Sequence, residues 1–184
     1  MEVGSIIQFD NKDYTIKKIL YKSRGSKNQI LTQEKNEKTE NRRTFYLVER
    51  NGIKCWVKEY TDSDYGYGIE YEFNETRRLL LPSLMGLHEI STVHVFTIEK
   101  NKILMEYLED YHKFNPMVLN HIQRLLIKGL IEKWIKEHDV HDYDMCNNNT
   151  MIKISKKNIS IKLLDFEYSI GVDQLRWRQF VTSI

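Results

Sequence analysis

Two stretches carry side chains that do chemistry when brought together. HDYDMCNNNTMI, residues 141–152, sets acids and amides ahead of an apolar run. NISIKLLDFEYS, residues 158–169, ends an apolar run on an acid. If TMIKIS and NISIKLLDF pair as two strands around the KKN turn, their outer ends approach, and Asp144, Asn149 and Asp165 converge. A carboxylate beside an amide oxygen makes a hard-oxygen pair suited to Mg²⁺, an ion that keeps waters and phosphate oxygens in its shell. A second carboxylate, off the metal, would orient an acceptor hydroxyl. Taken singly, each of these residues is better explained by capping a turn through its own side chain. Their order and their placement between strands favour convergence.

The elements that must position them read as follows. The first half reads as strands: SIIQFDNKDYTIKKILY alternates about an Asp-Asn turn, with Ile16, Ile19 and Leu20 as core candidates, and SRGSKN is a turn. The charged segment QEKNEKTENRR is expected to be an exposed hairpin connection. TFYLVERNGIKCWVKEY reads as two strands about Asn51-Gly52, residues that tolerate the positive φ of a tight hairpin. From Glu72 the period changes: Glu72, Phe73, Thr76, Leu79 and Leu80 recur at helical spacing, and Pro82 limits that helix. VHVFTIE and KILMEYL alternate again. Asn115-Pro116 signals the start of the longest helix, with Val118, Ile122, Leu125, Leu126, Leu130 and Ile135 as its apolar face and Gly129 permitting a close contact. The last nineteen residues, with Trp177 and Phe180, suffice for one short helix. The expected organisation is an N-terminal region 1–108, strands plus one helix, and a C-terminal region 109–184.

Composition narrows the class. With 184 residues, 41% hydrophobic and 29% charged, the chain fits one compact domain or two small lobes. Its net charge of +2 does not call for a nucleic-acid partner, and no apolar run approaches the roughly 18 residues of a membrane span. The start, MEVGSIIQFDNKDY, is not expected to act as a signal peptide. Cys55 and Cys146 lie far apart without metal spacing, which fits a reducing compartment.

DMCNNNTMI resembles the catalytic loop of protein kinases and related phosphotransferases, and LLDFEYS resembles the metal-binding segment of that superfamily. The DFEYS form is similar to choline and ethanolamine kinases, while the short chain and HDYD wording look like small bacterial effector kinases. The resemblance spans roughly residues 14–170. It implies an α+β, minimal bilobal kinase-like fold, with a sheet-rich N-lobe, a truncated helical C-lobe, and ATP and Mg²⁺ as cofactors. Asp144 then matches the acceptor-hydroxyl base, Asn149 and Asp165 the metal ligands, and Lys58 in WVKEY the lysine that binds the α/β phosphates. Glu75 in NETRRLL is the first choice as the partner of Lys58, with Glu72 and Glu70 as rivals. Gly25 and Ser26 fall where the family has its phosphate loop, although a plain hairpin turn explains them equally well. Met105 would back an adenine pocket, and the backbone of Glu106 and Leu108 would meet the base.

The departures are specific. Asp142 replaces the usual histidine before the catalytic Asp, Cys146 replaces a lysine two residues after it, and Glu167 replaces the glycine after Asp-Phe. The leading expectation is an ATP/Mg-dependent phosphotransferase to a hydroxyl acceptor, in the form of a small atypical Ser/Thr protein kinase. The alternatives are a small-molecule kinase of choline or aminoglycoside type and a pseudokinase acting through a protein partner. A protein substrate or activating partner is expected, and a small-alcohol substrate is the rival. The expected location is cytoplasmic, or the host cytoplasm for a secreted effector.

Overall fold

A computed structural model describes residues 1–23, 42–60, 66–140, 146–166 and 176–184. Among them the chain is a mixed α+β protein with two sheets and three helices. Its contacts divide it into two units, residues 1–73 with 94–107 and residues 74–93 with 108–184.

The first unit holds strands β1 (Ile6–Phe9), β2 (Lys12–Ser23), β3 (Arg42–Arg50), β4 (Ile53–Tyr60), β7 (Val95–Glu99) and β8 (Lys102–Glu106). They form one sheet in the order β1-β2-β3-β4-β8-β7, antiparallel throughout. The β3–β4 turn is Asn51-Gly52, with φ of 53° and 77°, the two left-handed residues a tight hairpin needs to match strand twist. Irregular register at Ile16/Lys18 and Val95/Thr97 adds local bending. The sheet curls enough for its edge strands to meet, with Thr97 Oγ1 donating to Asp10 Oδ1 at 3.3 Å. Ile7, Phe9, Ile16, Tyr46, Val48, Cys55, Val57 and Leu104 fill one face. Burial pushes the Cys55 thiol pKa up.

Helix α1 (Gly66–Arg78) begins in the first unit and ends in the second. Its buried positions, Ile69, Glu72, Phe73 and Thr76, follow the helical period and continue in Leu79 just past its end.

The second unit is built on β5 (Ser83–Met85), β6 (His88–Thr92), β9 (His112–Lys113), β10 (Thr150–Ile154) and β11 (Ile159–Leu163), in the order β5-β6-β11-β10-β9. Only the β6–β11 pair is parallel in this sheet. The β5–β6 hairpin was not anticipated, and it belongs to this second sheet rather than extending the N-terminal one. Helix α2 (His121–His138) packs on β5 and β6, and α3 (Arg176–Ser183) supplies Phe180 and Val181 to the same core.

The apolar face expected for α2 is corrected. The Asn115-Pro116 signal starts a single 3₁₀ turn, Pro116–Val118, capped by the Asn115 side chain. The α-helix begins after Asn120, whose side chain and that of Gln123 form a reciprocal capping box. Ile127, Leu130, Ile131, Trp134 and Ile135 are the buried residues, whereas Val118, Ile122 and Leu125 are exposed. Gly129 does allow close approach: a Cβ there would lie 3.3 Å from Met85 Cε. The corrected face predicts that Ile131→Ala costs about 2–5 kcal/mol, while Leu125→Ala, 56% exposed, stays within about 0.5 kcal/mol. Urea unfolding of both variants checks this, and equal losses would contradict the assignment.

Candidate functional site

In β4 side chains alternate between the two sheet faces. Cys55 and Val57 point into the apolar cluster, which leaves Trp56, Lys58 and Tyr60 on the opposite face. Across the sheet, Lys58 lies opposite Ile103 and Trp56 opposite Met105. Directly opposed residues share a face, so Met105 and Lys58 stand on the same side.

Lys58 is only 3% exposed. Its Nζ donates to Glu72 Oε1 at 2.9 Å and Oε2 at 2.8 Å, and Glu72 is itself 4% exposed. The carboxylate opposite Lys58 is therefore Glu72, not Glu75. Glu75 lies three residues further on, just under one helical turn, and it accepts from Arg78 Nη2 at 2.7 Å near the surface. Glu70 is exposed. The helical period explains the correction, since Ile69, Glu72, Phe73 and Thr76 form the buried stripe and Glu75 falls beside it. Tyr60, absent from the sequence expectations, donates its phenolic O–H to Glu72 Oε2 and places its ring centroid 5.1 Å from Lys58 Nζ. The signal for Tyr60 was its position two residues after Lys58, on the same strand face.

Within the second unit, β10 and β11 form the anticipated hairpin, with Thr150 opposite Leu163 at its open end. One residue further out, Leu164 N–H donates to the Asn149 carbonyl at 2.8 Å. Asn149 is buried, and its own N–H donates to the Cys146 carbonyl, which also accepts from Thr150 Oγ1. This pairing brings Asn149 and Asp165 to the same end of the hairpin. Asp165 has φ 69°, a left-handed conformation in which Asp is among the tolerated residues. An amide and a carboxylate here are the oxygen donors Mg²⁺ accepts. That ion commonly takes only one or two protein ligands, the remainder being water and phosphate, so the pair fits it. No cluster of three or more His, Cys, Asp or Glu occurs among the described residues, and that mode of Mg²⁺ binding does not need one.

Met105 is buried in β8, and Glu106 ends that strand, exchanging backbone contact with His94, whose N–H also meets Glu106 Oε1. Leu108 follows in the second unit, its carbonyl accepting from Tyr111 N–H. Asp144, Gly25, Ser26 and Glu167, together with most of the charged connection 33–43, lie outside the described residues. No helix among the described residues is long and apolar enough to cross a membrane. No protein-family model matches the chain, and no curated protein does.

A buried ion pair broken on one side leaves an uncompensated charge, at a cost of about 3–5 kcal/mol. Lys58→Met and Glu72→Gln should each destabilise the fold on that scale, and Lys58→Met/Glu72→Leu should recover much of the loss. Glu75→Gln, which removes a surface pair, should change stability by less than about 1 kcal/mol. Denaturant titrations decide it; a large loss in Glu75→Gln with none in Glu72→Gln would reverse the assignment.

Proposed function

We propose that the chain is an ATP/Mg²⁺-dependent phosphotransferase acting on a hydroxyl acceptor, most closely a small atypical Ser/Thr protein kinase. The observation that carries this reading is the buried Lys58–Glu72 pair joining a strand to a helix. Burying two charges is a poor route to stability, because desolvation offsets most of their attraction. Retaining a fixed ammonium group is better explained by a ligand that needs one.

In this reading Lys58 binds the α/β phosphates, and Glu72 holds its ammonium group at a fixed place. Asn149 and Asp165 would hold Mg²⁺, which when bound neutralises phosphate charge. Asp144 accepts the proton of the acceptor hydroxyl and orients that oxygen for in-line attack. Met105, on the face that carries Lys58, would pack against the base. Glu106 and Leu108 would offer backbone polar groups to it. Gly25 and Ser26 would present N–H groups to the phosphates.

A small-alcohol acceptor is the second reading, supported by the DFEYS segment. Cys146, where many protein kinases have a lysine, supports a third, a pseudokinase that works through a protein partner. Labelled ATP with Mg²⁺, offered a cell lysate and a panel of amino alcohols, tests all three. Label on protein supports the leading reading, label on an alcohol the second, and no label the third. Asp144→Asn should lower transfer by about 10²–10⁴-fold, the scale of a positioned base, with an unchanged circular-dichroism spectrum. Turnover equal to that of the unaltered chain would reject Asp144 as the base.

A further inference from the structure

We propose that Tyr60 is a positioning residue that holds Glu72 against Lys58, and that the β7–β8 turn sets it through Asn101. The inference rests on the phosphotransfer reading for its consequence in catalysis, but its geometry lies wholly within the first unit.

Tyr60 touches both members of the ion pair. Its hydroxyl donates to Glu72 Oε2, the oxygen that also accepts from Lys58 Nζ at 2.8 Å, and the face of its ring is turned to the ammonium group. A carboxylate with two donors on one oxygen has fewer rotamers open to it than one held by lysine alone. The negative face of an aromatic ring also favours the charged amine at this place. Tyr60 is 3% exposed, so water does not compete freely for its hydroxyl.

Tyr60 is anchored in turn. It is the last residue of β4, one beyond the final β4–β8 pair, Glu59 with Lys102. There its N–H donates to the Asn101 carbonyl at 2.9 Å, and the Asn101 side-chain amide donates back to the Tyr60 carbonyl. Asn101 follows Lys100, which turns the chain with φ 53°. A turn at the sheet edge is thus linked, through one tyrosine, to the carboxylate that aims Lys58.

Tyr60→Phe keeps the ring and removes only the O–H; Asn101→Ala leaves Tyr60 intact and removes the side-chain donor to its carbonyl. Native-state acylation with an amine-selective ester, followed residue by residue by mass spectrometry, reads Lys58 directly and needs no nucleotide. Lys17 lies in the same sheet, paired with Glu49 at 3.4 Å, and serves as the internal reference. Both variants should raise Lys58 acylation several-fold while Lys17 stays within twofold of the unaltered chain. In a Glu72→Gln background Tyr60→Phe should add nothing. Unchanged Lys58 acylation, or an equal rise at Lys17, would overturn the proposal by reducing Tyr60 to a packing residue.

In the transfer assay Tyr60→Phe should raise KM for ATP/Mg²⁺ by roughly tenfold, the scale of a lost hydrogen bond to a charged group, with a smaller change in kcat. Selective Lys58 acylation in a chain that transfers no phosphate would uphold the Tyr60 contact and reject the phosphotransfer reading.

Discussion

Two charges withdrawn from water must remain together, and the first unit is arranged around that requirement. Lys58 and Glu72 are each less than 5% exposed. Separating them would strand a charge in a medium that solvates it poorly. The register of β4 is therefore constrained twice. A slip of one residue against β3 or β8 would turn Lys58 onto the face occupied by Cys55 and Val57 and expose the apolar set. The rotation of α1 is constrained in the same way, since one residue of helical phase moves a side chain by about 100° and would exchange Glu72 for a neighbour that cannot accept from Lys58.

The second unit solves a different problem, the placement of two polar side chains at the end of an apolar hairpin. β11 is central, paired with β6 on one side and β10 on the other, and Ile161 and Leu163 are fully buried in the core that α2 also fills. The last rung of β10–β11, extended by the Leu164–Asn149 bond, fixes the backbone at both polar positions. Packing thus supplies the rigidity, and the polar groups sit where the packing stops. Two polar residues are thereby held at a strand end whose backbone groups are paired.

Local chemistry was legible in the sequence where a few neighbouring residues decide the outcome. Asn51-Gly52 specified its hairpin because both positions need left-handed backbone, and KKN marked the turn between β10 and β11 for a similar reason of polarity between apolar runs. The stripe Glu72, Phe73, Thr76 and Leu79 was visible as a period, yet Glu75 was preferred to Glu72 as the partner of Lys58. A one-letter pattern shows which face is buried but not which acid on or beside it meets a strand far away in sequence. The face of α2 was legible only in part: Leu130 and Ile135 are buried as expected, but the 3₁₀ turn at Pro116–Val118 interrupts the chain, and counting from Asn115 missed Ile127, Ile131 and Trp134. The parallel pairing of β6 with β11 joins residues about seventy positions apart, and no local signal announces it. Tyr60 was missed because its importance comes from Glu72 and Asn101, neither adjacent to it in sequence.

The central proposal is that this chain binds one magnesium-bound nucleotide. Calorimetric titration of the unaltered chain with a non-hydrolysable ATP analogue, with and without Mg²⁺, tests it most directly. The account predicts saturable binding of one nucleotide per chain that weakens by at least an order of magnitude when Mg²⁺ is withheld. Absence of binding, or the same affinity with and without the metal, would contradict it.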